Sequence, residues 1–349
     1  MVAPLLAPFD TPDGGLALRV EDPAGDELGA AGFAPEDAPT ESVHEIRCGP
    51  AKASVGRVIG RGEGPLVEAV AASLASSLAT IASNVHEHRP GGDAAHRLEA
   101  ELALSRRIQR SLIPLTPPDL RGYEIATYYE AAREVGGDFF DVFPLRDRAG
   151  RAGIVIADVT GKGIAAALLM AFARPLIRAA IDHARDPILA LDRTNAILVD
   201  ERRSSLFITA LIGMLDLRTS VLRWANAGHE PPLLVPGDGR PVRWLTGGGP
   251  LLGAFATLGL VPCEVHLALG DIVLFYTDGV TDTRGPSGER FGDERLLAVV
   301  DEARGAMARH LVDAIVDAIA TFQGDEPAAD DVTIVALRRS MKGRVRSAD

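Results

Sequence analysis

Apolar residues recur at steps of three and four between residues 66 and 87, where Leu66, Val67, Val70, Leu74, Leu78, Ile81 and Val85 set the rhythm. That spacing predicts an amphipathic helix, with Pro65 near its first turn and Pro90-Gly91-Gly92 ending it. A second helical run covers residues 93–112, with Asp93 as its N-cap and Leu98, Leu102, Ile108 and Leu112 as its apolar stripe. Glu99, Glu101, Arg106, Arg107 and Arg110 give it a charged face. The stripe is shorter than a self-sufficient coiled coil needs. Two readings of it stand: a solvated linker, or a signalling helix that dimerises. Residues 113–118 (Ile-Pro-Leu-Thr-Pro-Pro) then form a stiff, extended boundary.

Residues 1–64 are rich in Gly, Pro, Asp and Glu, with short β-like pieces at 16–20, 43–47 and 54–59 that predict a small sheet. Beyond residue 123 the texture changes to short β-branched and apolar runs. Strands are predicted at 123–129, 139–145, 153–157, 206–215, 221–225, 232–235, 242–245, 265–269, 272–277 and 332–337. Helices are predicted at 164–173, with a continuation past Pro175 to 184 left open, and at 188–202, 294–302 and 308–322. Hairpin-spaced strand pairs, such as the one turning at 217–220, imply largely antiparallel sheets. Few, grouped helices imply an α/β layered sandwich, not alternating βαβ units.

The 349 residues are 47% hydrophobic and 24% charged, enough for two domains with a substantial core. A net charge of −12 argues against a nucleic-acid or anionic-membrane surface. Cys48 and Cys263 are far apart and lack metal-ligand spacing, which fits a reducing cytoplasm and no disulfide framework. Residues 1–9 lack the basic flank and long apolar core of a signal peptide. The apolar stretch 154–170 is interrupted by Asp158, Lys162 and glycines, so no membrane span is predicted.

Candidate chemistry sits at strand ends. Asp138 lies in Gly136-Gly137-Asp138-Phe139-Phe140-Asp141, and Asp158 ends an apolar run before Val159-Thr160-Gly161-Lys162-Gly163. Asp278 follows Tyr276-Thr277 and precedes Gly279, while Asp330 and Asp331 precede the last strand. Hard oxygen ligands from four separate segments are what Mg²⁺ or Mn²⁺ takes, and two such ions can activate water for phosphoester cleavage. Strand alternation puts Asp138 and Asp141 on opposite faces, leaving Asp141 as support or surface. Gly161-Lys162 fails the Walker spacing, so Lys162 reads as an exposed turn lysine, with attraction of an anionic substrate as the rival role. His229 in Asn226-Ala227-Gly228-His229 reads as a turn-stabilising histidine, with phosphate or metal-bound water as its rival partner.

These motifs, together with residues 105–114 (Ser-Arg-Arg-Ile-Gln-Arg-Ser-Leu-Ile-Pro), resemble the PPM (protein-phosphatase-2C-like) serine/threonine phosphatases. They are most similar to the bacterial SpoIIE/RsbU branch, in family order from Ser105 to Arg339. The resemblance implies a four-layer α-β-β-α sandwich over 115–340, a coupling helix over 91–114 and a tail at 341–349. The first 90 residues resemble a shortened, GAF-like α+β sensor. It also implies two Mn²⁺ or Mg²⁺ ions held by Asp138, Asp158 with the Val159 carbonyl, Asp278 and Asp330. A slip of one residue would hand that last role to Asp331, so both are carried as candidates. No counterpart of the eukaryotic phosphate-gripping arginine is evident, although Arg133 is close to the first motif.

The implied activity is hydrolysis of phosphoserine or phosphothreonine on a regulatory protein, a STAS-domain anti-anti-sigma factor in this branch. A cytoplasmic location accords with the cysteines, and a homodimer through the linker helix is the dimerising one of its two readings. The rival is a pseudophosphatase that binds its partner without turnover, and the retention of all four carboxylates speaks against it.

Overall fold

Strands buried on both faces make the centre of this molecule two sheets thick. The computed structural model describes residues 16–21, 27–33, 40–48, 53–62, 75, 103, 105–114, 116–145, 150–184, 186–200 and 206–340. One sheet has the order β11-β10-β13-β14-β5, from β5 (Tyr123–Glu130), β10 (Leu233–Val235), β11 (Arg243–Trp244), β13 (Ile272–Tyr276) and β14 (Val332–Arg339). The other has the order β12-β9-β8-β7-β6, from β6 (Phe139–Pro144), β7 (Arg151–Val159), β8 (Ile208–Asp216), β9 (Val221–Ala227) and β12 (Cys263–His266). Every pairing within these two sheets is antiparallel.

Alternation along each strand sorts side chains into three seams. Phe140, Ile154, Ile156, Leu211, Val273, Phe275 and Val335 meet between the two sheets. Their neighbours Phe139, Val155, Ala157 and Ile212 face outward onto α1 (Ile164–His183) and α2 (Pro187–Asp200). On the opposite side Leu274, Tyr276, Ile334 and Ala336 face α4 (Gly292–Glu302) and α5 (Ala308–Gln323). A short α3 (Gly279–Asp282) lies between β13 and α4. The result is the four-layer α-β-β-α sandwich expected.

Helix α1 continues through Pro175. An interior proline costs about 3 kcal/mol. The adjacent Leu176 and Ile177 are fully buried, and each contributes about 1.5–3 kcal/mol by leaving water, so packing wins. By length and composition α1 could cross a bilayer. Here Met170, Ala173, Ile177 and Ala180 are instead spent on the sheet beneath it.

Nearer the N-terminus, β1 (Leu16–Glu21), β2 (Glu27–Phe33), β3 (Thr40–Cys48) and β4 (Ala53–Gly62) form a separate antiparallel sheet of order β2-β1-β4-β3. Sequence patterning missed β2, whose Gly and Ala residues carry little β signal. The predicted helix at 66–87, apart from helical Ala75, and the tail at 341–349 lie outside the described residues. So does residue range 93–102 of the second helix, of which residues 105–112 are helical.

Candidate active site

The four aspartate-bearing segments converge at one rim of the paired sheets because glycine lets their backbones touch. A Cβ on Gly136 would stand 2.2 Å from the Asp331 Oδ2, and one on Gly279 would stand 1.9 Å from the Asp331 carbonyl oxygen. At Gly137 it would meet the Val159 carbonyl oxygen at 2.8 Å and the Asp158 Oδ1 at 3.3 Å. No side chain fits at those distances, so the motif glycines are packing requirements of the site. They also place the Val159 carbonyl beside the Asp138 loop.

Asp138 enters β6 only 2% exposed. Its Oδ2 accepts hydrogen bonds from Thr277 Oγ1 at 2.7 Å and Thr333 Oγ1 at 2.7 Å. The same two threonines are joined to each other, since the Thr333 N–H donates to Thr277 Oγ1 at 3.0 Å and the Thr277 N–H to the Thr333 carbonyl at 3.1 Å. This explains the threonine in both the Thr277-Asp278 and the Asp330-Asp331-Val332-Thr333 motifs. Asp158 sits near the end of β7, and Asp278 immediately precedes α3. Asp330 Oδ2 lies 2.7 Å from the Lys162 ammonium.

Burial, with Asp158 and Asp331 nearby, drives the Asp138 carboxyl well above the usual carboxylate range despite its two hydroxyl donors. The Asp158 carboxyl is pushed up to about 7, first by burial and then by Asp278 and Asp330. Asp278 is raised by burial, Asp330 and Asp282, with Lys162 opposing. Carboxylates that raise one another's proton affinity through space share a common field, and a multivalent cation relieves that repulsion. Among the described residues no three Asp, Glu, His or Cys side chains already converge as a ligand cage. The donor set nevertheless suits Mn²⁺ or Mg²⁺, being all oxygen and strongly anionic. Two of its side chains are engaged by donors of the chain itself, Asp138 by the Thr277 and Thr333 hydroxyls and Asp330 by the Lys162 ammonium.

Asp331 has a different geometry from its neighbour. Its Oδ1 accepts from the Ala132 N–H at 2.8 Å, and its Oδ2 accepts from the Gly137 N–H at 2.7 Å and the Asp138 N–H at 3.4 Å. This carboxylate holds loop 132–138 in place, and both its oxygens are engaged with backbone. Of the pair, Asp330 is the one turned to Lys162.

Asp141 is support, as strand alternation expects, but it is buried, not on the surface. Arg174 and Arg178 of α1 reach its Oδ2 at 2.7 and 2.8 Å, and the Arg178 guanidinium covers the Phe143 ring at 4.1 Å. His229 closes a turn: its N–H donates to Asn226 Oδ1 at 2.7 Å, and Asn226 Nδ2 donates back to the His229 carbonyl at 2.8 Å. Its Nδ1 pairs with Thr209 Oγ1 at 2.8 Å. Burial lowers the imidazole to about 4, opposed only weakly by the Tyr276 backbone. The unfolded chain takes up that proton below about 6.5, so His229 withdraws stability as pH falls from there toward 4. An NMR titration of the folded protein is expected to show this ring neutral at pH 5.5. A midpoint above 6 would contradict the buried setting.

Sequence reasoning missed the role of Gln109. Its side chain is 5% exposed; Oε1 accepts from the Gly136 N–H at 2.9 Å, and Nε2 donates to the Gly136 carbonyl. Arg106, one turn earlier, donates from Nε to the Glu134 carbonyl at 3.3 Å. Helix 105–112 therefore grips the loop that delivers Asp138. A neutral amide leaves no charge or hydropathy pattern by which that grip could be foreseen.

The profile of the Stage II sporulation protein E (SpoIIE) family matches residues 148–340. Protein IcfG of Synechocystis sp. is 30% identical over 275 residues, which cover 71% of this chain and 42% of that protein. Phosphoserine phosphatase RsbU of Bacillus subtilis is 26% identical over 257 residues, 73% of this chain and 75% of RsbU. The chain thus spans less than half the length of IcfG. Among solved structures, the SiaA-PP2C domain of Pseudomonas aeruginosa superposes with a TM-score of 0.62 at 27% identity, covering 70% of this chain and 98% of that one.

Proposed function

Since the chain belongs to the Stage II sporulation protein E (SpoIIE) family of PP2C-type phosphatases, we propose that it is a metal-dependent protein serine/threonine phosphatase whose centre is formed by Asp138, Asp158, Asp278 and Asp330. The observation that carries this reading is the meeting of the four segments that bear these carboxylates at one rim, where Gly136 and Gly279 lie against Asp331 and Gly137 lies against the Val159 carbonyl and Asp158. Asp138, Asp158 with the Val159 carbonyl, Asp278 and Asp330 would hold two Mn²⁺ or Mg²⁺ ions. Such ions lower the pKa of water and offset the charge on phosphoryl oxygens.

The chain supplies the positioning. Thr277 and Thr333 fix the Asp138 carboxylate by its Oδ2. Asp331 and Gln109 fix the loop from which Asp138 projects. Mn²⁺-dependent hydrolysis of p-nitrophenyl phosphate, abolished by EDTA, tests the activity. A well-folded protein inert toward it and toward phosphoserine peptides would favour the pseudophosphatase alternative.

The substrate of this reading is a phosphoserine or phosphothreonine on a regulatory protein, of which a STAS-domain anti-anti-sigma factor is our specific proposal. Its support is the likeness to RsbU, named a phosphoserine phosphatase, over three quarters of that protein. The division at residues 90 and 114 and a homodimer through the linker helix belong to the same proposal. Gln109 gives the linker a physical route to the site. Gln109→Ala strands both Gly136 backbone groups, each worth about 1–3 kcal/mol when buried without a partner. The variant is expected to lose kcat severalfold with KM for the aryl phosphate within about twofold of wild type. An unchanged kcat would reduce the helix to a tether.

A further inference from the structure

We propose that Lys162 is a positioning residue that competes with a divalent cation for Asp330, and so sets how tightly the centre takes up metal; this rests on the two-ion reading above. A turn lysine ordinarily leaves its ammonium in water, because ordering that long side chain is entropically costly. Lys162 does the opposite. It stands between Gly161 and Gly163, whose φ values of 92° and 79° shape the turn after β7. From there its ammonium reaches 2.7 Å from Asp330 Oδ2 and also donates to the Ala329 carbonyl. The contact joins residues 167 positions apart. It ties the turn after Asp158, on one sheet, to the loop leading into β14 on the other.

Two properties follow from this placement. The lysine steadies the segment that carries Asp330, and its positive charge also reaches Asp278. A divalent ion seated on the same carboxylates must displace the ammonium from Asp330 or bear like-charge repulsion at close range. The lysine side chain is 38% exposed, so it has water to move into. The pair is therefore displaceable, unlike the buried Asp141–Arg174 pair.

The experiment compares wild type, Lys162→Met and Lys162→Arg by calorimetric titration with MnCl₂, alongside melting of each protein in EDTA. Lys162→Met is expected to bind Mn²⁺ about tenfold more tightly and to melt lower in EDTA, having lost the counter-charge of Asp330. Lys162→Arg keeps the charge and is expected to stay within about twofold of wild type. Equal or weaker Mn²⁺ binding by Lys162→Met overturns the proposal, weaker binding marking the lysine as a loop tether alone. If wild type itself binds no Mn²⁺, the two-ion reading falls with it. If wild type binds and Asp278→Asn does not, while Lys162→Met is unchanged, only the role of Lys162 is lost.

Discussion

Asp278→Asn is expected to cut Mn²⁺-dependent hydrolysis of an aryl phosphate by on the order of 10³-fold, the scale on which transition-state charge stabilisation is lost. Asparagine keeps the size and one oxygen of the side chain but removes the charge that a divalent ion needs. The same change should raise the melting temperature in EDTA, because Asp278 is half-buried beside Asp330 and Asp282 and its ionised form is disfavoured there. The sign of the pH dependence follows. Asp158, moved from 3.8 to about 7, keeps its proton in the folded protein over a range where the unfolded chain has released it. Such a group withdraws stability as pH rises through that window, and Asp278 acts in the same direction. His229 acts oppositely, so the quantity to measure is the difference between Asp278→Asn and wild type across pH 4–8 in EDTA. That difference should grow with pH, and Mn²⁺ should reverse it by binding only the folded wild type. A variant that keeps a tenth of wild-type kcat, or gains nothing in EDTA, would remove Asp278 from the centre.

Much of this architecture was legible because the strands are buried on both faces. Runs such as 154–157 and 272–276 read as continuous apolar segments, and an aspartate at the end of each stands out against them. The helix through Pro175 was less legible, since it depends on Leu176 and Ile177 finding a sheet that local propensity cannot anticipate. Residues whose role is set by partners far along the chain escaped altogether. Lys162 looked like a solvated turn residue, yet it pairs with Asp330. Strand alternation puts Asp141 on the face opposite Asp138, but its burial depends on Arg174 and Arg178, 33 and 37 positions away. Gln109 meets Gly136 27 positions on. Hydropathy periods report which face of an element is covered; they carry nothing about which polar atoms meet across a fold.

The adjacent pair Asp330-Asp331 is the sharpest case, because neighbouring residues in sequence have different partners and no hydropathy pattern tells their roles apart. The hydrogen bonds of Asp331 to Ala132, Gly137 and Asp138 give it a stability role that can be separated from chemistry. Asp331→Ala removes the acceptor for two well-formed amide bonds and one long one in a buried setting. At about 1–3 kcal/mol per stranded donor, the loss should be on the order of 4 kcal/mol, a melting shift readily seen with metal present or absent. Asp331→Asn keeps one acceptor oxygen and turns an NH₂ group toward a backbone N–H, so roughly half that loss is expected. Asp330→Asn should behave in the reverse way: it strands no backbone amide except its contact to the Asp331 N–H at 3.0 Å, yet it takes a charge from the carboxylate cluster. Its stability in EDTA should stay within about 1 kcal/mol of wild type, while Mn²⁺ affinity and kcat fall by on the order of 10²-fold or more. Urea unfolding in EDTA and Mn²⁺ titration of the three variants separate the roles. Should Asp331→Ala unfold like wild type but lose Mn²⁺ as completely as Asp278→Asn, the ligand would be Asp331, and the loop contacts would be incidental.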